Sequence, residues 1–173
     1  KTMIARRIPG ILPALSREEQ LEISRVYSIA GLLTEERPFL TSRPFRAPHH
    51  TITPAALAGG GKYPRPGEIT LAHRGILFLD EFPEFSHDAI EILRQPLEER
   101  SITISRMGAS FVFPADFMFV AAMNHCPCGH YPNLNHCTCT GAEISRYKNR
   151  ISGPVMDRID ICADDIFHTY LPY

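Results

Sequence analysis

Two uninterrupted apolar runs, each followed by polar side chains, constrain the fold of this chain most strongly. Residues 75–79 lead into Asp80 and Glu81, and residues 117–123 lead into Asn124. Such runs are typical of parallel strands that are buried on both faces of a sheet. Helical patterns alternate with them, so the sequence predicts an α/β fold with a parallel sheet. A functional site is then expected outside the carboxyl ends of the strands.

Composition excludes several other classes of protein. Of the 173 residues, 44% are hydrophobic and 21% are charged, which argues against a disordered chain or a coiled coil. The 18 basic and 19 acidic residues nearly cancel, so a nucleic-acid site would have to be local. No apolar run approaches the roughly 20 residues of a membrane span, and no signal peptide precedes the runs. We expect one domain over residues 1–173, in the cytoplasm and without a membrane partner.

A capping box predicts the first long helix. Ser16 and Glu19 have the spacing at which each side chain binds the other residue's backbone N–H, so the sequence predicts a helix over residues 17–30. Gly31 is expected to cap its C-terminus. The apolar face of this helix, which we expect to pack on a sheet, comprises Ile23, Val26, Tyr27 and Ala30.

Three further segments have a recognisable local pattern. Ser86 is expected to cap a second helix, with Asp88 in its first turn. Residues 101–106 and 110–113 flank a short turn, which predicts a β-hairpin. Residues 44–67 are rich in proline and glycine and are expected to be irregular.

Four residues supply the groups that phosphoryl transfer from a nucleotide requires. These groups are a lysine on the β- and γ-phosphates, a hydroxyl on Mg²⁺, an acid that holds the metal and a group that orients water. Lys1, Thr2, Asp80 and Glu81 match them in that order, with ATP and Mg²⁺ as the cofactors. The alternative is an acidic strand end that caps a helix or meets solvent. A Lys-Thr pair alone has little specificity.

Two more residues fit the same chemistry. Asn124 ends the neighbouring strand, where its amide could reach a γ-phosphate or the attacking water, although an asparagine in an ordinary turn is the alternative. Arg158 lies among acidic residues. It is either a salt-bridged arginine or a cation offered to the γ-phosphate of the next subunit, and in the second case it should be accessible in a monomer.

Four of the five cysteines lie close together in the sequence. They form two Cys-x-Cys pairs, namely Cys126 with Cys128 and Cys137 with Cys139. Four thiolates could coordinate Zn²⁺ tetrahedrally, although structural zinc sites more often have wider spacing within each pair. A cysteine-rich loop without metal is the alternative. Substitute ligands are available in His125, His130 and His136. Cys162 follows an apolar run and is expected to be a buried thiol.

Candidate contacts to DNA are few. Arg106 lies beside the hairpin turn, and Lys62 and Arg65 lie in the irregular stretch. A pore that tracks the phosphate backbone needs few charges per subunit because the subunits repeat them. Solvated loop charges are the alternative interpretation.

The order and spacing of several short segments carry a family resemblance. In sequence they are Lys1-Thr2, RPFRAPHHT at 43–51, GGG at 59–61, PGEI at 66–69, AHRG at 72–75, LDE at 79–81, Asn124, CPCG at 126–129 and GPVMDRID at 153–160. Together they resemble the magnesium-chelatase-like AAA+ ATPases of the YifB/ComM type, over nearly the whole chain.

The resemblance implies a hexameric ATPase with a three-layer αβα P-loop fold and a site between subunits. Lys1 and Thr2 would bind nucleotide and Mg²⁺, Asp80 and Glu81 would be Walker B, Asn124 sensor 1 and Arg158 the arginine finger in trans. Residues 45–67 would be the helix-2 insert and residues 101–113 the hairpin before sensor 1, both facing the pore. A DNA helicase that drives branch migration in natural transformation is the activity described for one branch of the family.

Parts of the family pattern are not found in this sequence. The glycines of the phosphate loop, the strand before it, the Lon-like domain and the helical lid are missing, so we expect a truncated core. Two other functions stay open. One is a chelatase-type ATPase subunit that remodels a protein partner during metal insertion, and the other is a fragment that neither binds nor hydrolyses nucleotide.

Overall fold

The computed structural model describes residues 1–61, 64–106 and 109–163, and these residues form seven strands and eight α-helices. The strands are β1 (Phe45–Arg46), β2 (Gly59–Gly60), β3 (Arg65–Pro66), β4 (Ile76–Leu79), β5 (Ser101–Arg106), β6 (Ala109–Pro114) and β7 (Met118–Ala121). The α-helices are α1 (Thr2–Ala5), α2 (Arg17–Ile29), α3 (Pro54–Ala58), α4 (Glu68–Leu71), α5 (His87–Ile92), α6 (Arg94–Glu99), α7 (Gly141–Lys148) and α8 (Gly153–Met156). Short 3-10 helices cover Ile8–Gly10 and Phe82–Glu84.

A parallel sheet with the order β1-β4-β7 forms the centre of the fold and confirms the predicted α/β class. All residues of β4 are buried, and they divide between two hydrophobic clusters on opposite faces of the sheet. Strand β7 is different, because Met118 is 42% exposed and the strand is only partly buried. The expectation that both runs are buried on two faces is therefore wrong for β7. It lies at the edge of the sheet that the described residues form, whereas β4 has a neighbour on each side.

A close backbone contact lets β1 join the sheet. A Cβ atom at Gly75 would clash with the backbone of Pro44, so only glycine permits this approach. The N–H of Ile76 donates to the carbonyl of Pro44 at 2.8 Å, and from there β1 pairs in parallel with β4. The glycine of the AHRG segment thus has a packing role.

Helix α2 has the predicted start and end. Ser16 and Glu19 form the capping box, with N···O distances of 2.8 and 3.2 Å. Gly31 has φ of +72°, and the N–H of Leu32 donates to the carbonyl of Tyr27, which completes a Schellman motif. Helix α2 packs chiefly on α4 and on β3 of the two-stranded sheet β2-β3, rather than on the central parallel sheet. The Tyr27 hydroxyl reaches the Leu71 carbonyl at 3.0 Å.

The segments outside the central sheet form two small antiparallel ribbons. Strands β5 and β6 are the predicted hairpin, paired from Ser101–Pro114 to Arg106–Ala109. The stretch expected to be irregular contains β1, α3 and the ribbon β2-β3. The two ribbons lie against each other through β2 and β5. No helix in the described part of the chain combines the length and the apolar character that a bilayer crossing requires.

A closed polar network lies at the amino edge of the sheet. The Arg74 guanidinium contacts a Glu22 carboxylate oxygen at 2.8 Å and an Asp116 carboxylate oxygen at 2.7 Å. The Asp116 N–H donates to Nδ1 of the buried His73 at 3.1 Å. The network ties α2 to the starts of β4 and β7. The hydrogen bond from Arg74 is the main reason why the pKa of Glu22 is lowered, and burial lowers the pKa of His73.

Candidate functional site

The carboxyl edge of the sheet brings together the residues that the sequence marks for nucleotide chemistry. Asp80 and Glu81 directly follow β4, and Asn124 follows β7 by three residues. The N–H of Phe82 donates to the carbonyl of Ala122 at 2.9 Å, so the chain segments after the two strands run side by side. Lys1 and Thr2, from the start of the chain, reach the same edge.

The carboxylate of Asp80 is held on both of its oxygens. The hydroxyl of Thr2 donates to Oδ2 at 2.5 Å, and the backbone N–H of Glu81 donates to Oδ1 at 3.0 Å. A hydroxyl beside a carboxylate is a pair of oxygen donors of the kind that Mg²⁺ prefers. These residues fit the ion that the sequence predicts.

Lys1 has an exposed ammonium group at this edge. Its Nζ donates to the carbonyl of Met123 at 2.6 Å and to Oδ1 of Asn124 at 3.4 Å. Both acceptors are neutral, and the described residues place no carboxylate within ion-pair distance of Lys1. Its positive charge is therefore available to an anionic ligand.

Glu81 has a backbone conformation that is rare for a residue with a side chain. Its φ and ψ are 53° and 44°, in the left-handed region, and it starts the 3-10 turn after β4. Its carboxylate is about half exposed and lies 3.1 Å from Nδ1 of His50. Non-glycine residues in this region are often found at functional sites.

His50 also lies at this site, although no motif in the sequence marks it as a site residue. The ring lies beside that of His49, with centroids 4.0 Å apart, and it faces Glu81. The signal was its place in the RPFRAPHHT segment, to which no chemistry had been assigned. The two arginines of the segment hold the structure together: Arg43 donates to the carbonyls of Pro13 and Arg74, and Arg46 forms two 2.6 Å hydrogen bonds to Glu68.

Arg158 differs from its expected state. Its side chain is only 24% exposed, and its guanidinium pairs with the carboxylate of Glu98 and with the carbonyl of Pro154. The expectation of an accessible arginine is therefore corrected to an ion pair within the chain. The partner is Glu98 of α6 and not the neighbouring Asp157 or Asp160.

The four clustered cysteines meet in space. Their sulfur atoms all lie within 4.8 Å of one another, and Cys126 is fully buried. Backbone hydrogen bonds from His130 and Thr138 lower the pKa of Cys128 to about 5. Cys162 is exposed in the loop after α8, so the expectation of a buried thiol is wrong.

The candidate DNA contacts are only partly described. Arg65 is exposed on β3. Lys62 and the side chain of Arg106 lie outside the described residues, although the backbone of Arg106 ends β5. The ribbon that contains Arg65 packs against the ribbon that contains the backbone of Arg106.

Comparison with known proteins identifies the family to which the chain belongs. The profile of the magnesium chelatase, subunit ChlI, family matches residues 1–166. The chain is 49% identical to YifB of Salmonella typhimurium and 48% identical to the competence protein ComM of Haemophilus influenzae, each over 95% of this chain and 32% of the relative. The Magnesium-chelatase 67 kDa subunit of Chlorobaculum parvum is 32% identical over 38% of this chain and 11% of its own length.

The chain spans about a third of the length of YifB and of ComM. Among solved structures, NtrX from Brucella abortus in complex with ADP aligns with a TM-score of 0.47 at 18% identity, over 69% of this chain and 24% of that one. That likeness is too distant to bear on activity. The profile match and the parallel α/β sheet decide the classification: the chain belongs to the magnesium-chelatase-like family of AAA+ ATPases.

Proposed function

We propose that this chain is the nucleotide-binding and hydrolysing core of an AAA+ motor. The observation that carries the proposal is the convergence of Lys1 and Thr2 with Asp80 and Asn124 at the carboxyl edge of the sheet. Thr2 and Asp80 are 78 positions apart in the sequence and Lys1 and Asn124 are 123 apart, yet the side chains of each pair are within hydrogen-bond distance. In α/β sheets, ligands bind at this edge.

Each side chain has a role that its chemistry allows. Lys1 would bind the β- and γ-phosphates with its free positive charge. Thr2 and Asp80 would hold Mg²⁺, and the bound ion would supply charge neutralisation at the phosphates. Asn124 would orient the γ-phosphate or the attacking water with its amide. Glu81 would polarise that water with its carboxylate, which is about half exposed at this edge.

The test of this proposal is the Glu81→Gln variant of the complete protein. Gln keeps the shape of Glu and removes the charge, so ATP should bind as before while turnover falls by about 10²–10⁴-fold. Glu35→Gln, at an exposed position remote in sequence from the site, is the matched control. Unchanged turnover in Glu81→Gln would remove Glu81 from the mechanism. Undetectable binding of ATP to the wild type would favour a fragment without catalytic function.

Arg158 is proposed to act in trans, on the nucleotide of a neighbouring subunit. The intramolecular contacts of Arg158 with Glu98 and with the carbonyl of Pro154 would then have to open, and the Glu98 carboxylate, which is 63% exposed, would remain solvated. Arg158→Ala should reduce turnover by about 10³–10⁵-fold and leave ATP binding intact. Mixing this variant with Glu81→Gln should restore part of the activity, because one interface then combines an intact Glu81 with an intact Arg158. No restoration would leave the Glu98 ion pair as the role of Arg158.

A homo-hexamer is the proposed assembly. Membership of the AAA+ family supports this assembly, because AAA+ ATPases generally act as oligomers. The mass of the complete protein in solution with ATP present tests the proposal, and a monomer under these conditions would contradict it.

DNA is the proposed partner, and the motor is proposed to work in the cytoplasm as a branch-migration helicase. Similarity to the competence protein extends over 95% of the chain, whereas similarity to the magnesium-chelatase subunit covers 38%. Stimulation of ATP turnover by single-stranded or branched DNA would support this proposal. Stimulation only by a protein partner would favour the chelatase-type function. Arg65→Ala should reduce the DNA effect and its salt dependence.

A further inference from the structure

We propose that Cys126, Cys128, Cys137 and Cys139 form a structural Zn²⁺ site that fastens the loop after β7 to helix α7. The proposal concerns a part of the molecule that the nucleotide chemistry does not use. It requires four sulfur atoms at tetrahedral spacing, a loop that needs such a link, and protein contacts around the sulfurs. The described residues contain all three features.

The spacing of the sulfur atoms fits a single tetrahedral ion. Zinc–sulfur bonds of about 2.3 Å at tetrahedral angles place the sulfurs about 3.8 Å apart. The Sγ of Cys137 lies 3.8 Å from that of Cys126 and 3.7 Å from that of Cys128. The Cys126 and Cys128 sulfurs are 3.3 Å apart, and every pair among the four lies within 4.8 Å.

The same distances argue against other forms of sulfur chemistry. A disulfide requires sulfur atoms about 2.0 Å apart, and the cysteines are reduced in this structure. An iron–sulfur cluster distributes its cysteines over several irons, which separates their sulfur atoms further than one shared ion does. A set of four thiolates is also unsuited to Mg²⁺ or Ca²⁺, which take oxygen ligands. Zinc is the ion that this donor set selects among common structural metals.

The loop that carries the cysteines has little other support. Residues 122–140 contain no helix or strand, and a loop of this length is uncommon unless something orders it. Turns link the ligands: the N–H of Gly129 donates to the carbonyl of Cys126 at 3.1 Å, and that of Cys137 to the carbonyl of Asn133 at 2.8 Å. The N–H of Tyr131 donates to the buried sulfur of Cys126 at 3.4 Å, a contact typical of the surroundings of metal ligands.

Both ends of the loop are attached to structures that matter for the site. Cys126 follows Asn124 by two residues, and Gly129 packs near the Asn124 side chain. Cys139 immediately precedes Thr140, the N-cap of α7. A metal held by both ends would fix the distance between Asn124 and α7. Metal binding itself does not depend on the proposed ATPase function; only an effect on turnover would.

The first experiment measures metal in the complete protein, purified without chelator. We expect about one zinc per chain by elemental analysis. Release of this zinc should require the modification of four thiols by a mercurial reagent. After removal of zinc, Co²⁺ should bind with the same stoichiometry and give the intense visible absorption of tetrahedral sulfur coordination. Zinc below a tenth of an equivalent together with no cobalt spectrum would overturn the proposal.

The variants identify the ligands. Cys137→Ser and Cys139→Ser should each lose the metal at least tenfold more readily to a chelator, whereas Cys162→Ser, at the exposed thiol, should behave like wild type. Cys137→His keeps a zinc ligand and guards against a variant that simply fails to fold. It should retain zinc and shift the cobalt spectrum. Equal retention of zinc by the wild type and both Cys→Ser variants would overturn the assignment.

The two proposals can fail separately. A protein that contains one zinc but does not hydrolyse ATP would refute the ATPase proposal and leave the metal site intact. A protein that hydrolyses ATP at full rate but holds no metal would refute the metal site and leave the ATPase proposal intact.

Discussion

The two edges of the central sheet carry polar clusters of similar size that differ in how their charges are balanced. At the amino edge, one arginine lies between two carboxylates and a buried histidine accepts a backbone N–H. At the carboxyl edge, the lysine is held by neutral oxygens and a glutamate is half exposed. The amino-edge residues are Glu22, His73, Arg74 and Asp116, and the carboxyl-edge residues are Lys1, Thr2, Asp80, Glu81 and Asn124.

This difference supports a stabilising role for the amino-edge cluster and the proposed binding role for the carboxyl-edge cluster. Groups that satisfy one another have little left for a ligand, so a substitution among them should reduce stability. Groups whose charge has no opposite partner within the fold cost stability and are retained where a ligand completes them. The residue types alone would not distinguish the two clusters, because each combines basic and acidic side chains.

Among the substitutions that compare the two edges, the largest effect is expected for Lys1→Met at the carboxyl edge. The loss of a charge-assisted contact of about 1.5–3 kcal/mol should weaken ATP binding by about 10–150-fold, measured with a fluorescent nucleotide on the complete protein. The urea midpoint should be unchanged. Lys148→Met, at the exposed end of α7, serves as the control and should bind normally. Normal affinity for ATP in Lys1→Met would show that the Lys1 ammonium group does not bind the phosphates.

Arg74→Met tests the opposite edge. It removes the cation closest to Glu22 and Asp116, leaving Arg100 at 3.8 Å from Asp116, and should lower the free energy of unfolding by about 1–3 kcal/mol, measured by urea denaturation. The fraction that stays folded should bind ATP with wild-type affinity. Arg25→Met, on the exposed face of α2, should cost less than about 0.5 kcal/mol. Equal stability of the two variants would contradict the structural role of the network.

His50→Ala should have a smaller effect, at the carboxyl edge. The substitution removes the partner of the Glu81 carboxylate and should slow ATP turnover about fivefold, the equivalent of one hydrogen bond of about 1 kcal/mol. Affinity for ATP and the urea midpoint should hardly change. His49 is the exposed neighbour of His50, and His49→Ala is therefore the matched control. We expect wild-type turnover for this variant. A rate loss of the same size in both variants would point to the histidine pair and not to its contact with Glu81.

The smallest effect is a pH dependence of stability at the amino edge. Burial lowers the pKa of His73, so unfolding takes up a proton and stability should decline as the pH falls below about 6.5. The lowered pKa of Glu22 acts in the same direction, since its contribution is complete above about pH 4.5 and is lost below it. Urea midpoints between pH 4 and 8 measure both. His73→Gln should flatten the upper part of the curve, and a midpoint that rises on acidification would contradict the assignment.

Local patterns predicted many elements of the fold correctly. The capping box at Ser16, the cap at Ser86 and the hairpin were predictable because they depend on residues a few positions apart. The small ribbon β2-β3 was not predicted, because its strands of two residues each leave no periodic signal. A helix break at Leu93 was also missed. Pro96 explains it, since proline cannot donate to the carbonyl of Ile92.

The sequence by itself determined the fold class, the polar residues at the strand ends and the spacing of the cysteines. Buried strands need continuous apolar runs, and the identity of each residue fixes the donor group that its side chain can offer to a ligand. Only the tertiary structure decided which charges find partners. It paired Arg158 with Glu98, placed His50 against Glu81 and left Lys1 facing neutral oxygens. The physical reason is the sequence separation over which each interaction acts. Helix caps and hydrophobic periodicity depend on residues within one or two turns, whereas an ion pair depends on how segments far apart in the sequence pack together. No local sequence pattern specifies the distance between two such segments.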